Sequence, residues 1–196
     1  PKLQGLVEQA NLKLGALGAF GELVPNIQHF IRLHVVKEAT VSSKIEGTNT
    51  NIQEVLMDQR AVDPERRDDH QEVNNYIRAM EQSLARMPKM PLSSRLLRDA
   101  HGTLMKGARG EHKTPGEFRR SQNWIGGASL VDAKFIPPVW EEVNALMGDL
   151  EHFLHSNDTQ LPHVLKAALA HYQFETIHPF LDGNGRIGRL MITLYF

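Results

Sequence analysis

The chain has 196 residues, 41% of them hydrophobic, which is ordinary for a globular protein and enough for a core. Its formal net charge of −1 excludes an overall field that would favour nucleic acid or an anionic membrane. The absence of cysteine excludes disulfides, thiolate metal sites and cysteine nucleophiles, and fits a reducing compartment, so a cytoplasmic protein is expected.

The first third of the chain has helical patterns. Leu3–Leu17 places apolar residues on one stripe, which predicts a helix. The stripe consists of Leu3, Leu6, Val7, Ala10 and Leu14. Gly18 and Gly21 predict a break, and Asn26–Glu46 predicts one or two helices that Gly47 ends at the C′ position.

The end of that region reads Ser-Ser-Lys-Ile-Glu-Gly. Ser42 and Glu46 are four residues apart, so a helix places both on one face. Taken alone, an exposed glutamate at a helix end explains this common pattern. A functional interpretation depends on the C-terminal part of the chain.

Further helices are predicted in the middle of the chain. Asn51–Arg60 fits a short helix, and Asp63 followed by Pro64 fits an N-cap with proline at N1. Ser93 or Ser94 can cap another helix that runs to about residue 106.

Helical periodicity is absent from Gly107–Pro138, where glycine and proline are dense. An ordinary hairpin on a helical domain would explain this composition. Arg119 and Arg120 are adjacent, and the expectation for such a pair is a solvated surface.

Two more helices are expected after this segment, at Val139–His155 and Leu161–Thr176. The second has an apolar stripe and should be the central buried helix that delivers the residues following it. The stripe consists of Leu161, Leu165, Ala168 and Tyr172. The chain begins at Pro1 rather than Met and ends inside a helical pattern, so a fragment of a longer protein is expected.

The stretch His178–Arg189 concentrates reactive groups in the sequence HPFLDGNGRIGR. His178 is a candidate base and Asp182 a candidate metal ligand. The Gly-Asn-Gly that follows offers backbone N–H groups that few side chains crowd. If a helix begins near Gly185, its first N–H groups are unpaired and suit an anion.

Two arginines complete this stretch. Arg186 and Arg189 are three apart on one helical face, and their planar guanidinium groups match phosphate oxygens. The stretch therefore predicts a polyphosphate site with a base beside it.

Simpler interpretations compete with this one. A turn, a buried histidine and solvated arginines would each explain one part of the stretch. The glycines also fit a dinucleotide fingerprint, but that fingerprint follows a β-strand, whereas the residues before His178 have a helical pattern.

The stretch resembles the signature of Fic-domain proteins, His-Pro-Phe-x-Asp/Glu-Gly-Asn-Gly-Arg-x-x-Arg, at every defined position. Fic proteins mostly transfer AMP from ATP to a hydroxyl side chain of a protein. The resemblance implies a mainly α Fic fold: a helical bundle core with one β-hairpin flap, plus an N-terminal helical extension. Residues 1–90 would form the N-terminal helical region, and residues 91–196 a catalytic core truncated at its C-terminus.

The resemblance also implies roles for site residues. His178 would be the catalytic base and Asp182 would hold Mg²⁺ bridging the α- and β-phosphates. Arg186 would contact the β-phosphate and Arg189 the γ-phosphate, while the Gly-Asn-Gly amides and the Asn184 side chain would stabilise the phosphates. The nucleotide-binding residues implied in this way are Gly183, Asn184, Gly185, Arg186 and Arg189.

Two segments outside the signature also resemble the family. Ser42–Gly47 is similar to its inhibitory motif, Ser/Thr-x-x-x-Glu-Gly/Asn, in which the glutamate pairs with the second arginine of the signature. Glu46 would therefore pair with Arg189 and block the γ-phosphate. Pro115–Arg120 and Asn123–Gly127 resemble the segment that precedes and forms the flap, and Phe135–Pro138 resembles its exit. In the family a target segment docks on this flap by adding a strand. The docking residues would be Lys134, Phe135 and Ile136.

The partner implied is a protein that bears a tyrosine, threonine or serine hydroxyl, with self-modification and a homodimer both compatible with the family. Neither membrane nor nucleic acid is expected as a partner of this segment. Three alternatives remain open: removal of AMP from a modified protein, with Glu46 positioning water; a phosphotransferase; and a non-catalytic nucleotide-sensing module. A relative that acts as a kinase carries lysine where Gly185 stands, so Gly185 favours AMP transfer.

Overall fold

The structure is a computed structural model that describes residues 2–107, 112–157 and 160–196. Within these residues the protein is mainly α-helical and has eight α-helices. They are α1 (Lys2–Leu23), α2 (Ile27–Ile45), α3 (Ile52–Val55), α4 (Arg67–Arg86), α5 (Ser94–Leu104), α6 (Val143–His155), α7 (His163–Ile177) and α8 (Asn184–Tyr195). None of the helices in the described part of the chain is long and apolar enough to cross a membrane.

Helix α1 is longer than predicted. It runs through Gly18 and Gly21, where a break was expected, and none of its residues is buried. A glycine inside a helix costs only about 1 kcal/mol relative to alanine, so two glycines do not end a helix of this length. Helix α1 packs against α7 but remains largely exposed, so its predicted apolar stripe is not part of the core.

Local signals predicted the starts and ends of several helices correctly. Asn26 caps α2, a single helix, by accepting the His29 N–H at 3.0 Å, and Gly47 follows that helix with φ +94°. Ser93 caps α5 through the Leu96 N–H at 3.3 Å. Asp63 caps a 3₁₀ turn that leads into α4. Asn51–Arg60 is shorter than predicted, because only α3 and a separate 3₁₀ turn form there.

The core lies where α4, α5, α7 and α8 meet. Helix α4 packs against α2, α5 and α8, and α7 packs against α6 and α8. The largest fully buried apolar side chains come from these helices and from the loop between α7 and α8. They include Tyr76, Met80, Leu97, Phe174, Phe180 and Ile187. The loop between α7 and α8 is therefore packed into the core.

The predicted buried stripe of α7 was wrong in phase. Tyr172 is 70% exposed and Ala168 is also exposed, whereas the opposite residues, including Ala170 and Phe174, are buried. Apolar residues occur around the whole circumference of this helix, so periodicity did not identify one face. Lys166 lies on the buried face, where its ammonium group donates to the Ser156 carbonyl at 2.6 Å.

The flap has less strand pairing than predicted. Among the described residues its only β-pairing is one antiparallel bridge, in which the Ile125 N–H donates to the Phe135 carbonyl at 2.9 Å and the Phe135 N–H donates back at 3.2 Å. Gly126 and Gly127 adopt positive φ and turn the chain directly after Ile125. Residues 108–111, in the glycine- and proline-rich segment that precedes the flap, lie outside the described residues.

Candidate active site

The candidate base lies where α7 ends. His178 has φ +50° and ψ +59°, a left-handed conformation that a non-glycine residue adopts at some energetic cost. Its N–H still donates to the Phe174 carbonyl at 2.9 Å. This conformation turns the chain sharply out of the helix and into the loop.

Arg119 holds that turn, and the expectation that it is solvated was wrong. Arg119 is buried, with a relative solvent exposure of only 2%. Its guanidinium group donates to backbone carbonyls of four residues at 2.5–3.3 Å, among them His178 at 3.0 Å. The other three are Ser121, Pro138 and Ile177. Arg119 therefore joins the base of the flap to the end of α7, while Arg120 is exposed as predicted.

His101, on α5, packs against the loop between α7 and α8. The sequence did not predict this role. Its ring stacks on Phe180, with centroids 3.8 Å apart and planes 8° from parallel. Nε2 bonds to the Asp182 carbonyl at 3.0 Å, and Nδ1 accepts the Gly116 N–H at 2.8 Å. Burial lowers the pKa of His101 to about 4, so the ring is neutral and Nε2 carries the proton that it donates. The only sequence signal was a histidine on the apolar face of α5.

Phe180 anchors the loop in the core. It is fully buried and contacts the rings of His101, Phe118 and Phe174. Phe180→Ala should lower the free energy of unfolding by about 3–5 kcal/mol, because the cavity would be surrounded by rings that cannot collapse. Urea denaturation followed by circular dichroism measures this. Tyr172→Ala, at an exposed position of α7, should stay within about 0.5 kcal/mol of wild type. If the two variants had equal urea midpoints, Phe180 would not be an anchor of the loop.

Helix α8 begins directly behind the loop and directs its first N–H groups toward it. Gly183 takes φ +75° as the N-cap residue, and a Cβ there would lie 3.0 Å from the Met105 sulfur. The Asp182 carboxylate accepts the Gly183 N–H at 2.6 Å, and its side chain is 47% exposed. A half-exposed carboxylate therefore lies beside a helix N-terminus, where an anion with a bound cation would be favoured.

The Asn184 side chain has a different role from the one predicted. It is buried, its Oδ1 accepts the Phe180 N–H at 2.8 Å, and its Nδ2 donates to the Phe180 carbonyl at 2.8 Å. The side-chain amide therefore bonds to the backbone of the same loop and does not point toward the predicted phosphate site. Any contact of Asn184 with phosphate would come from its backbone N–H.

The two arginines of α8 pair with different N-terminal helices. Arg186 is buried, and its NH1 donates to Glu72 Oε2 on α4 at 3.2 Å. Its NH2 lies 3.9 Å from the Asp182 carboxylate. Sequence reasoning missed Glu72, because a glutamate in an amphipathic helix is normally expected on the solvated face.

Arg189 contacts the last turn of α2. Its Nε donates to the Ser42 hydroxyl at 2.7 Å, and its NH2 donates to Glu46 Oε1 at 2.5 Å. Glu46 Oε1 also lies 2.5 Å from the position that a Cβ on Gly185 would take. A carboxylate thus lies over the N-terminus of α8, where the sequence predicted that a phosphate would bind.

The flap residues predicted to dock a target lie on the surface. Phe135 is 41% exposed and Ile136 is 53% exposed, so both side chains are accessible to a partner. The Lys134 N–H donates to the Ile125 carbonyl at 3.0 Å. The hydrogen bonds of Asn123 Nδ2 to the His178 and Phe180 carbonyls, at 3.3 and 3.1 Å, tie the start of the flap to the loop.

Comparison with known proteins supports a single family. The model described as Fic/DOC family N-terminal matches residues 4–85, and the model described as Fic/DOC family matches residues 91–196. The second match alone covers more than half of the chain.

Curated relatives and a solved structure agree with these matches. Proteins named protein adenylyltransferase Fic are 33% identical over 156 residues in Drosophila grimshawi and 30% identical over 197 residues in Drosophila erecta, covering 76% and 96% of this chain. The alignments span 30% and 37% of those relatives, about a third of their length. A crystal structure of a Fic family protein from Desulfovibrio desulfuricans G20 superposes with a TM-score of 0.74 at 26% identity, covering 100% of this chain and 57% of that one.

Proposed function

This chain belongs to the Fic/DOC family, and from that membership we propose that it transfers AMP from ATP to a hydroxyl side chain of a protein. The observation that best supports this is the loop from His178 to Gly183, which ends at the N-terminus of α8 and includes a half-exposed carboxylate. A candidate base, a candidate cation ligand and an anion site are therefore adjacent. The names of the curated relatives also support AMP transfer.

His178 is the proposed base. The target hydroxyl gives its proton to the imidazole as its oxygen attacks the α-phosphorus. A bond forms between that oxygen and the α-phosphorus, the bond to the oxygen bridging to the β-phosphorus breaks, and pyrophosphate leaves. Burial lowers the pKa of His178 below 6.5, so its ring is neutral and can accept a proton at pH 7.

Asp182 fits a magnesium ion. Its carboxylate is accessible, and no group of three or more acidic or histidine side chains in the described ranges could hold a metal by itself. Mg²⁺ is often bound by one or two carboxylates together with phosphate oxygens and water. When bound, the ion would neutralise developing charge on the phosphates. Arg186 and the first amides of α8 would hold the same phosphates from the protein side.

We further propose that Glu46 inhibits the enzyme. It occupies Arg189 and places a negative charge over the N-terminus of α8. Ser42 holds the same guanidinium group through its hydroxyl and its carbonyl, at 2.7 and 3.1 Å. ATP would have to separate Glu46 from Arg189 before its γ-phosphate could bind there.

ATP labelled at either the α- or the γ-phosphate tests the reaction. Wild type, Glu46→Gly and His178→Ala are incubated with each label, alone and with a cell lysate, and protein-bound label is measured. Label from the α-position alone supports AMP transfer. Label from the γ-position would instead indicate a kinase, and no label from either would contradict both. Release of AMP from already labelled protein by wild type, but not by Glu46→Gly, would favour the removal reaction.

Replacing Asp182 with asparagine should make transfer slow and nearly independent of Mg²⁺. The asparagine keeps the size and an acceptor oxygen for the Gly183 N–H but loses the charge that attracts the cation. Initial rates are measured while Mg²⁺ is titrated in the Glu46→Gly background. Asp149→Asn, at an exposed position of α6, is the matched control. An unchanged Mg²⁺ dependence in Asp182→Asn would remove this residue from the metal site.

A further inference from the structure

Three polar side-chain atoms lie close together in the second half of α7 and at the residue that caps it. Nδ1 of His171, Oε1 of Glu175 and Nδ1 of His178 are buried and make no well-formed hydrogen bond among the described residues, although the Glu175 backbone carbonyl lies near enough to the His178 ring to act against the lowering of its pKa. His171 and Glu175 are four positions apart in α7, so the helix places them on one face, and His178 follows Glu175 by three positions directly after the helix ends. Buried polar atoms are rarely left unpaired without a reason, because the desolvation penalty is then not offset.

Glu175 lies between the two histidines. Its Oε2 is 3.9 Å from Nδ1 of His178. Its Oε1 and Nδ1 of His171 both lie at the place where a Cβ on Gly188 would be, so α8 approaches closely there only because residue 188 is glycine. Oε2 therefore faces the His178 imidazole, while Oε1 and the His171 ring both face α8 at Gly188.

The backbone of His178 cannot adjust freely. Its N–H is bonded to Phe174, and its carbonyl accepts from Arg119 at 3.0 Å and from Asn123 at 3.3 Å. Only the side-chain torsions can therefore turn the ring. Because Nδ1 is buried beside Glu175, Nε2 is the nitrogen left to meet a hydroxyl in the site.

We propose that Glu175 is a positioning residue for His178. Its carboxylate accepts a hydrogen bond from Nδ1–H once a small side-chain rotation shortens the 3.9 Å separation. This bond holds the imidazole with Nε2 unprotonated and directed at the target hydroxyl. During transfer the hydroxyl proton goes to Nε2, while the Nδ1 proton stays on Nδ1. The inference rests on the proposed function, because it takes His178 as the base.

The charges around this pair are consistent with the arrangement. Burial is the main cause of the raised pKa of Glu175 and of the lowered pKa of His178, so the two values approach each other. The other titratable and charged groups that face the pair come from α7, α8, α2, the loop and the base of the flap. They are His171, Arg189, Glu46, Asp182 and Arg119. A carboxylate facing Nδ1 would stabilise the imidazolium that forms as the proton arrives.

Kinetics of Glu175→Gln and Glu175→Asp in the Glu46→Gly background test the proposal. Glutamine keeps the shape of glutamate but lacks the charge, so kcat should fall at least roughly 10- to 100-fold, the range found when a carboxylate that orients a metal-bound histidine is lost. KM for ATP should change little. Aspartate keeps the charge on a shorter side chain and should retain more activity than glutamine. Glu141→Gln makes the same change at an exposed position before α6 and serves as the matched control, with kcat near that of the background.

The pH profile separates positioning from a purely structural effect. His178 is active when neutral, so the rate rises as pH increases through its pKa. Loss of a nearby negative charge makes the imidazolium less favourable, so Glu175→Gln should move this midpoint to lower pH. A fall in kcat with an unchanged midpoint would overturn the proposal.

Nuclear magnetic resonance of ¹⁵N-histidine gives a readout that does not need activity. In the unsubstituted protein at pH 7.5, His178 should carry its proton on Nδ1, whereas in Glu175→Gln it should shift toward Nε2. The same tautomer in both proteins would overturn the proposal. If Glu46→Gly transfers no AMP at all, the proposed function fails, but this measurement still decides whether Glu175 holds the ring.

Discussion

Replacing His178 with alanine is expected to lower the rate of AMP transfer by about 10² to 10⁴, the usual contribution of a general base. The loss should appear in kcat, because the imidazole acts on the incoming hydroxyl and the nucleotide is held elsewhere. The proposed contacts to the phosphates come from α8 and Asp182, and these remain in the variant. Affinity for ATP, measured by calorimetry in the Glu46→Gly background, should therefore change little.

The control is His152→Ala, at an exposed position of α6, which should leave transfer unchanged. His178→Ala must also retain the circular dichroism spectrum of the parent, because His178 closes α7 through its N–H. Near-normal transfer by a folded His178→Ala protein would show that another group accepts the proton. A joint loss of ATP binding and transfer would instead indicate that the loop had collapsed.

Glu46→Gly is expected to raise self-labelling by about tenfold or more. In the wild-type protein, Glu46 and the γ-phosphate would compete for Arg189, and both are negative. Two like charges about 4 Å apart repel by roughly 4 kcal/mol at an effective dielectric constant near 20, and each 1.4 kcal/mol is a factor of ten. Removal of the carboxylate frees Arg189 and relieves the repulsion at the same time.

Two further variants distinguish charge from backbone effects. Glu46→Gln keeps a hydrogen-bond acceptor for Arg189 but loses the charge, so its self-labelling should lie between wild type and Glu46→Gly. Glu22→Gly places a glycine in the last turn of α1, away from Arg189, and should not activate. Arg189→Ala should not activate either, because it also loses the group that would hold the γ-phosphate. Equal labelling of wild type and Glu46→Gly would refute inhibition and leave the catalytic assignment intact.

The sequence by itself determined the features that depend on neighbouring residues. Asp63 and Ser93 cap helical turns within three residues of themselves, so their roles could be predicted from the order of residues alone. The stretch from His178 to Arg189 likewise carries its chemistry in twelve consecutive positions, and the helix after Gly183 was expected. Family membership followed from the same stretch, because so many defined positions rarely coincide by chance.

Only the tertiary structure decided which of these groups meet. Glu46 and Arg189 are 143 residues apart, and Glu72 and Arg186 are 114 apart, so each contact requires helices from both halves of the chain to pack together. Arg119 was expected on the surface because its charge is costly to bury, yet four carbonyl groups offset that cost. This compensation comes from backbone groups far away in the sequence and leaves no local pattern. The contacts of His101 and Glu175 also involve residues of other elements, so the roles of all three residues could be inferred only from the folded protein.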